Sequence, residues 1–102
     1  MTTMSDCADI EAALRRAVEN SATGKAAFLE SRAALNRVRE AFVLASANVA
    51  RGNRDAARKY FAEMASALAL IGERQADASA AFTRSRRGIE AALEQLKGKA
   101  GP

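Results

Sequence analysis

The sequence contains no histidine, one cysteine and one proline, and only five of its 102 residues are aromatic. The absence of histidine removes the commonest general base and the commonest metal ligand. Cys7 has no second cysteine for an intramolecular disulfide, and its place near the N-terminus predicts a surface thiol. No glycine-rich phosphate loop, nucleophile elbow or metal-spaced cysteine pair is present. We therefore expect no enzymatic activity, no metal site and no cofactor.

Long apolar runs are also missing. No stretch approaches the ~20 apolar residues of a membrane span, and the first residues lack the basic region and apolar core of a secretory signal. The sequence therefore predicts a protein without a membrane span that is made in the cytoplasm. Export from that compartment would have to use a route without a cleaved leader.

Alanine is what the sequence has in abundance, with 26 residues. Alanine favours helix strongly but buries little surface. The net charge of +4 arises from 16 basic and 12 acidic residues, a balance that suits anionic partners and is also ordinary for solubility. A helical protein of this composition is expected to need partners to reach ordinary stability.

Two series of residues recur at a strict seven-residue step, one on each side of Arg51-Gly52-Asn53. Such a step marks one face of a long helix. Folding the chain at Gly52 opposes the two series, so we expect their side chains to form the seam between two helices. In this register Gln75 faces Leu35 as a polar seam residue that fixes the alignment. The first series is Leu14, Ser21, Phe28, Leu35, Phe42 and Val49, and the second is Phe61, Leu68, Gln75, Phe82, Ile89 and Leu96.

The predicted fold is all-α: a long, coiled-coil-like antiparallel two-helix hairpin forming a single domain over residues 1–102. Its helices are expected at about 5–51 and 54–97, with the turn at 52–53. Gly52 suits the left-handed position after the first helix, and Asn53 or Asp55 can cap the second.

Two further residues bear on the first helix. Ser5 is a suitable N-cap. Gly24 is the one interruption and allows a kink or a break. The seven-residue phase continues through it, which favours one bent helix.

A second stripe of mostly small residues lies on another face of each helix. Small side chains let helices approach closely, so this stripe can be the surface where hairpins meet to form a four-helix bundle. The alternative is that the stripe only reflects the abundance of alanine. The candidate oligomer face is Leu29, Val43, Ala62, Ala69, Leu70 and Ala76.

Two clusters of basic residues are candidates for contact with a phosphate, a nucleic acid or an acidic protein. The alternative is that both are solvated surface. Because the four phenylalanines are expected in the seam, no ring is free to stack on a base, and a nucleic-acid contact would be to the backbone and salt dependent. The clusters are Arg51, Arg54, Arg58 and Lys59 at the turn, and Arg84, Arg86 and Arg87 in the second helix.

In length, mid-chain turn and alanine-rich helices, the chain resembles the Trp-X-Gly family of small secreted helical hairpins. Gly52 matches the glycine of the motif, whereas Ala50 stands at the place of its tryptophan. The family's export signal, a tyrosine followed four positions later by an acid, is absent, since Tyr60 is followed by Met64. The resemblance implies a bacterial protein that forms dimers, often four-helix bundles.

Taken together, these patterns predict a non-enzymatic helical interaction or scaffold protein, acting as a homo-oligomer or paired with a related hairpin. One alternative is a small basic protein that binds the phosphate backbone of nucleic acid through the turn. Another is an adaptor or accessory subunit of a secretion or phage-type assembly.

Overall fold

The computed structural model describes the backbone of residues 4–100 and the side chains of residues 7–98. It contains two α-helices, α1 (Met4–Ala50) and α2 (Arg54–Ala100), which pack against each other as a hairpin. The predicted all-α helical hairpin is therefore confirmed. Helix α1 continues through Gly24 without a break. The cap predicted at Ser5 lies outside the described side chains.

The turn is built on Gly52, whose φ of +75° lies in the left-handed region that favours glycine. Its N–H donates to the Val49 carbonyl at 3.0 Å, and the N–H of Asn53 donates to the Asn48 carbonyl at 2.9 Å. These two bonds form a Schellman motif, which satisfies carbonyls at the end of α1. The Asn53 side chain then caps α2, accepting a hydrogen bond at 3.3 Å from the N–H three residues later. The turn thus falls where the sequence predicts it.

The hairpin divides into two compact units. The turn unit is Ala27–Asp77, and the end unit comprises the described parts of Met1–Ala26 and Ala78–Pro102. In each unit the buried side chains are small, with one isoleucine as the exception, and most of them recur at steps of three, four or seven residues. We call these residues the alanine seam. They are Ala27, Ser31, Ala34, Ala41, Ala45, Ala57 and Ala67 in the turn unit, and Ile10, Ala17, Ala78, Ala81, Ser85 and Ala92 in the end unit.

The prediction that the large apolar residues form the seam is wrong. Each of them lies beside the seam instead, as Phe42 follows the buried Ala41 and Leu68 follows the buried Ala67. Phe42 is 57% exposed and Leu68 is 53% exposed. The physical reason is size, because alanine lets two helices approach closely over many turns, whereas a line of phenylalanines holds them apart.

The register also differs from the prediction, by about one helical turn. The sequence placed Ser21 opposite Ile89, but its hydroxyl lies 2.7 Å from the hydroxyl of Ser85. Ser85 donates to the Ala17 carbonyl at 2.8 Å, so Ser21 is the donor to Ser85. These bonds satisfy a hydroxyl buried in the seam of the end unit.

Gln75, predicted as the polar seam residue, is exposed, whereas its neighbour Arg74 is half-buried at the interface of the turn unit. Arg74 Nη1 lies 2.7 Å from Asp77 Oδ2, and its Nε lies 2.9 Å from Glu30 Oε2. The second contact joins the two helices as an ion pair, although the angle at the Nε proton is not that of a hydrogen bond. The side chains are 37% to 61% exposed, and such pairs contribute little to stability.

Gly24 has a packing role in the end unit. A Cβ atom at this position would lie 2.9 Å from both Cε1 and Cζ of the Phe82 ring. Ordinary contacts of a Cβ atom are 3.4–4 Å. A Cβ atom at this position therefore has no room unless the ring shifts, and the continuous helix shows that Gly24 does not end α1.

Candidate protein interface

One flank of the turn unit is an open groove to which both helices contribute. Most of its residues stand immediately before interface positions, as Leu44 precedes Ala45 and Leu70 precedes Ile71. The alanine floor of the groove is bordered by charges of both signs. The lining residues are Arg37, Glu40, Ala41 and Leu44 of α1, and Lys59, Ala62, Glu63, Ser66, Ala67 and Leu70 of α2.

The opposite flank of the turn unit is apolar. In an antiparallel pair, residues that precede the seam on both helices share one side, so residues that follow the seam share the other. The large side chains that follow the seam are between 41% and 57% exposed. We call them the aromatic flank. They are Phe28, Leu35, Phe42 and Val49 of α1, and Phe61 and Leu68 of α2.

The end unit has its own exposed apolar side chains in the same seven-residue series. They are about half exposed, from Leu14 at 43% to Leu96 at 51%. The ring of Phe82, packed on Gly24, and the side chain of Ile89 belong to this set. Each unit thus exposes large side chains while it buries mainly alanine.

The border of the aromatic flank is basic. Arg32 follows Phe28 by four residues, Arg39 follows Leu35 by four, and Arg58 precedes Phe61 by three, so each lies beside a residue of the flank on the helix surface. None of these three arginines takes part in an ion pair with the side chains of residues 7–98. The other border positions are uncharged, namely Ser46, Ala65 and Gly72.

The basic cluster predicted at the turn is divided between the two flanks. Arg58 borders the aromatic flank, whereas Lys59 lines the groove, with its Nζ 5.6 Å from the centre of the Tyr60 ring. Arg51 and Arg54 are exposed. The four cations therefore do not converge on one point, although each is accessible to a partner.

The second basic cluster lies in the end unit, and two of its members have partners there. Arg84 Nε donates to Asn20 Oδ1 at 3.3 Å. Arg86 Nε lies 3.5 Å from Glu90 Oε1, while Arg87 is exposed.

The predicted oligomer face is accessible in the structure. Leu29 and Val43 are 49% and 64% exposed, the three alanines are exposed, and Leu70 is half-buried. Two members, Ala62 and Leu70, belong to the groove. The others lie on outward positions. Sequence analysis did not predict that the aromatic flank is exposed. The signal that could have indicated it is the small residue immediately before most flank residues, because that small residue can occupy the seam instead.

Other chemistry is sparse in the described part of the chain. Residues 7–98 contain no cluster of three or more histidine, cysteine or acidic side chains arranged to hold a metal ion. Neither helix, over residues 4–100, is long and apolar enough to cross a bilayer. Cys7 is an exposed free thiol, as predicted.

Comparison of the chain with known protein families, curated proteins and solved structures gives no match in any of the three. What the structure defines is a class of architecture: an all-α helical hairpin with an alanine seam and exposed apolar residues beside it.

Proposed function

We propose that this chain is a non-enzymatic helical interaction protein that acts as a subunit of a larger helical assembly, burying its aromatic flank against another helical hairpin. The observation that carries the proposal is that small side chains are buried between the helices while large apolar side chains are exposed. Among the side chains of residues 7–98, the seam buries alanine, serine and a single isoleucine, whereas fifteen large apolar side chains are exposed. Apolar patches of this extent on a soluble surface mark interaction sites.

The energy available from covering the aromatic flank is substantial. Burying a fully exposed leucine or phenylalanine contributes about 1.5–3 kcal/mol. Since the six residues of the aromatic flank are about half exposed, covering them contributes roughly 5–9 kcal/mol before the entropy of association is subtracted. That gross amount is comparable in size to the net stability of many domains, so a partner that covers the flank would add substantially to the stability of the hairpin.

The seven-residue step of the flank indicates what kind of surface covers it. Apolar residues repeated at this interval fit between the side chains of another helix, as in coiled coils and four-helix bundles. A second hairpin presenting two such lines would complete a bundle with the aromatic flank at its centre. Both a homo-oligomer and a pair with a related hairpin satisfy this geometry.

The test is the behaviour of the isolated chain at about 10 μM. A well-packed domain of about 100 residues unfolds with an enthalpy of about 60–80 kcal/mol. We expect either an oligomer by sedimentation velocity, or a monomer with a much smaller calorimetric enthalpy that binds the dye ANS. Phe42→Ser should weaken the assembly or the dye signal, and Asn36→Ser, on an exposed position outside the flank, should change neither. A monomer that unfolds cooperatively with the full enthalpy would refute the proposal.

A second candidate, binding of nucleic acid, gains one observation from the structure. The phenyl rings expected in the seam are exposed, and Arg32, Arg39 and Arg58 lie beside them, so stacking on bases is sterically available. Titration of random single-stranded and duplex oligonucleotides from low to physiological salt tests this candidate. Absence of binding at low salt would eliminate it.

A further inference from the structure

The aromatic flank recognises a partner of opposite charge rather than a second copy of the chain: we infer that its occupant is an amphipathic helical protein whose apolar stripe is bordered by aspartate and glutamate. This inference rests on the proposed function, because it specifies the partner of the same surface. It is carried by the charge pattern of the turn unit.

Acidic residues are absent from the border positions of the aromatic flank. Arg32, Arg39 and Arg58 occupy border positions, and the other border residues are uncharged. Farther from the flank lies a second row, made of every seventh residue from Leu29 to Val43 in α1 and from Ala62 to Ala76 in α2, and these residues are also uncharged. The one acid on the continuation of that row stands at the start of α2. The remaining acids of the turn unit lie towards the groove or the back of the hairpin. They are Glu30, Glu40, Glu63, Glu73 and Asp77.

The arginines at the border are available to a partner. In α1, Arg32 and Arg39 have no acid three or four residues away in either direction, so no helical neighbour neutralises them. Arg58 has Asp55 three residues before it but forms no ion pair with it among the described side chains. The groove differs, since it has both Glu40 and Glu63 beside its cations.

A second copy fits this surface poorly. Two identical chains that meet through the same patch form a two-fold interface, in which the same residues lie on both sides. The borders that meet would then contribute only Arg32, Arg39, Arg58 and uncharged residues, so a second copy offers these arginines no acid. Opposite charges across an interface select a partner.

The spacing of the flank residues indicates that the partner is helical. Residues of the flank are seven positions apart, which is about 10.5 Å along a helix. Side chains at that interval interdigitate with a partner of the same period, whereas a lipid surface has no such period to match. An acid-bordered helix or hairpin therefore satisfies both the spacing and the charge of this surface.

The experiment uses the full chain and designed helical hairpins that carry one tryptophan. The chain contains no tryptophan, so the fluorescence anisotropy of the probe reports binding without background. One probe has a leucine stripe bordered by glutamate, and its matched control has lysine at the same border positions. We expect the glutamate probe to bind at least ten-fold more tightly at low salt, with a preference that shrinks in high salt.

Charge reversal locates the contact. The variant Arg32→Glu with Arg39→Glu should lose at least ten-fold in affinity for the glutamate probe. The control variant Arg37→Glu with Lys59→Glu makes the same change in net charge on the groove, and should bind the probe as the natural chain does. Arg32→Lys with Arg39→Lys should also retain binding. Circular dichroism of each variant separates loss of binding from loss of helix.

Four results would overturn the inference. They are equal binding of both probes, no binding of either, a tight homodimer that is abolished by Phe42→Ser, and binding to vesicles of phosphatidylglycerol that competes with the glutamate probe. The homodimer would leave the proposed function intact, because the flank would still be an interface. A firmly folded monomer that binds no probe would remove both.

Discussion

Replacing Gly24 with alanine adds one methyl group and tests how closely the Phe82 ring packs on α1 in the end unit. A glycine inside a helix is less favourable than alanine by about 1 kcal/mol. If nothing opposes the new methyl group, Gly24→Ala should therefore stabilise the protein. In the structure the methyl group meets the Phe82 ring at 2.9 Å, and overpacking of this kind costs about 1–3 kcal/mol. The expected net effect lies between no change and a loss of about 2 kcal/mol.

Gly72 supplies the matched control because it is also inside a helix. A Cβ atom at Gly72 has no neighbouring heavy atom within 4 Å. Gly72→Ala should therefore gain the full propensity of about 1 kcal/mol, which raises the midpoint of thermal unfolding by about 4–8 °C for a domain of this size. The difference between the two variants comes from the ring alone.

The assay is thermal and urea unfolding followed by far-ultraviolet circular dichroism, at one fixed protein concentration because assembly changes apparent stability. In a Phe82→Ala background the clash is absent, so Gly24→Ala should become as favourable as Gly72→Ala. The coupling between positions 24 and 82 should be about 1–3 kcal/mol. If Gly24→Ala in the natural chain raises the midpoint as much as Gly72→Ala does, the ring does not lie on the glycine and the register of the end unit is wrong.

Two further substitutions test the seam and the turn. Ala81 is fully buried, and Ala80 beside it is exposed. Ala81→Leu should force the helices apart and cost about 1–3 kcal/mol of unfolding free energy, while Ala80→Leu should be nearly neutral in urea unfolding. Equal effects of the two substitutions would contradict the alanine seam. Gly52→Ala should lower the free energy of unfolding by about 1–2 kcal/mol because the φ angle at this position is positive. Gly52→Asn should recover part of this loss in the same measurement. A Gly52→Ala variant of unchanged stability would contradict the Schellman geometry.

The sequence predicted the fold from two features that need no knowledge of packing. The seven-residue step identified long helices, and the Gly52-Asn53 pair located the turn. The identity of the seam could not be obtained in the same way. Ala41 and Phe42 belong to lines of equal period, so periodicity cannot tell which line is buried. Hydrophobicity favours phenylalanine, but the close approach of two helices over many turns favours alanine.

The residues of the aromatic flank were noticed in the sequence but were not predicted to form a surface. Phe28, Leu35 and Phe42 stood out in the sequence and were assigned to the interior. Because these three side chains lie on the surface, Arg32 and Arg39 can be identified as the charged border of the aromatic flank. In the sequence these arginines looked like scattered charges, because their significance depends on which side of α1 faces α2.

The short connection between the helices has a consequence for how the chain finds a single alignment. A row of alanines looks the same at every turn, so the alanine contacts alone distinguish poorly between alignments shifted by a whole repeat. Only Arg51, Gly52 and Asn53 separate α1 from α2, and this short connection has no slack to permit such a shift. With several residues inserted here, the alignment would depend on the few specific contacts between the helices, such as the Ser21–Ser85 hydrogen bond and the Glu30–Arg74 ion pair.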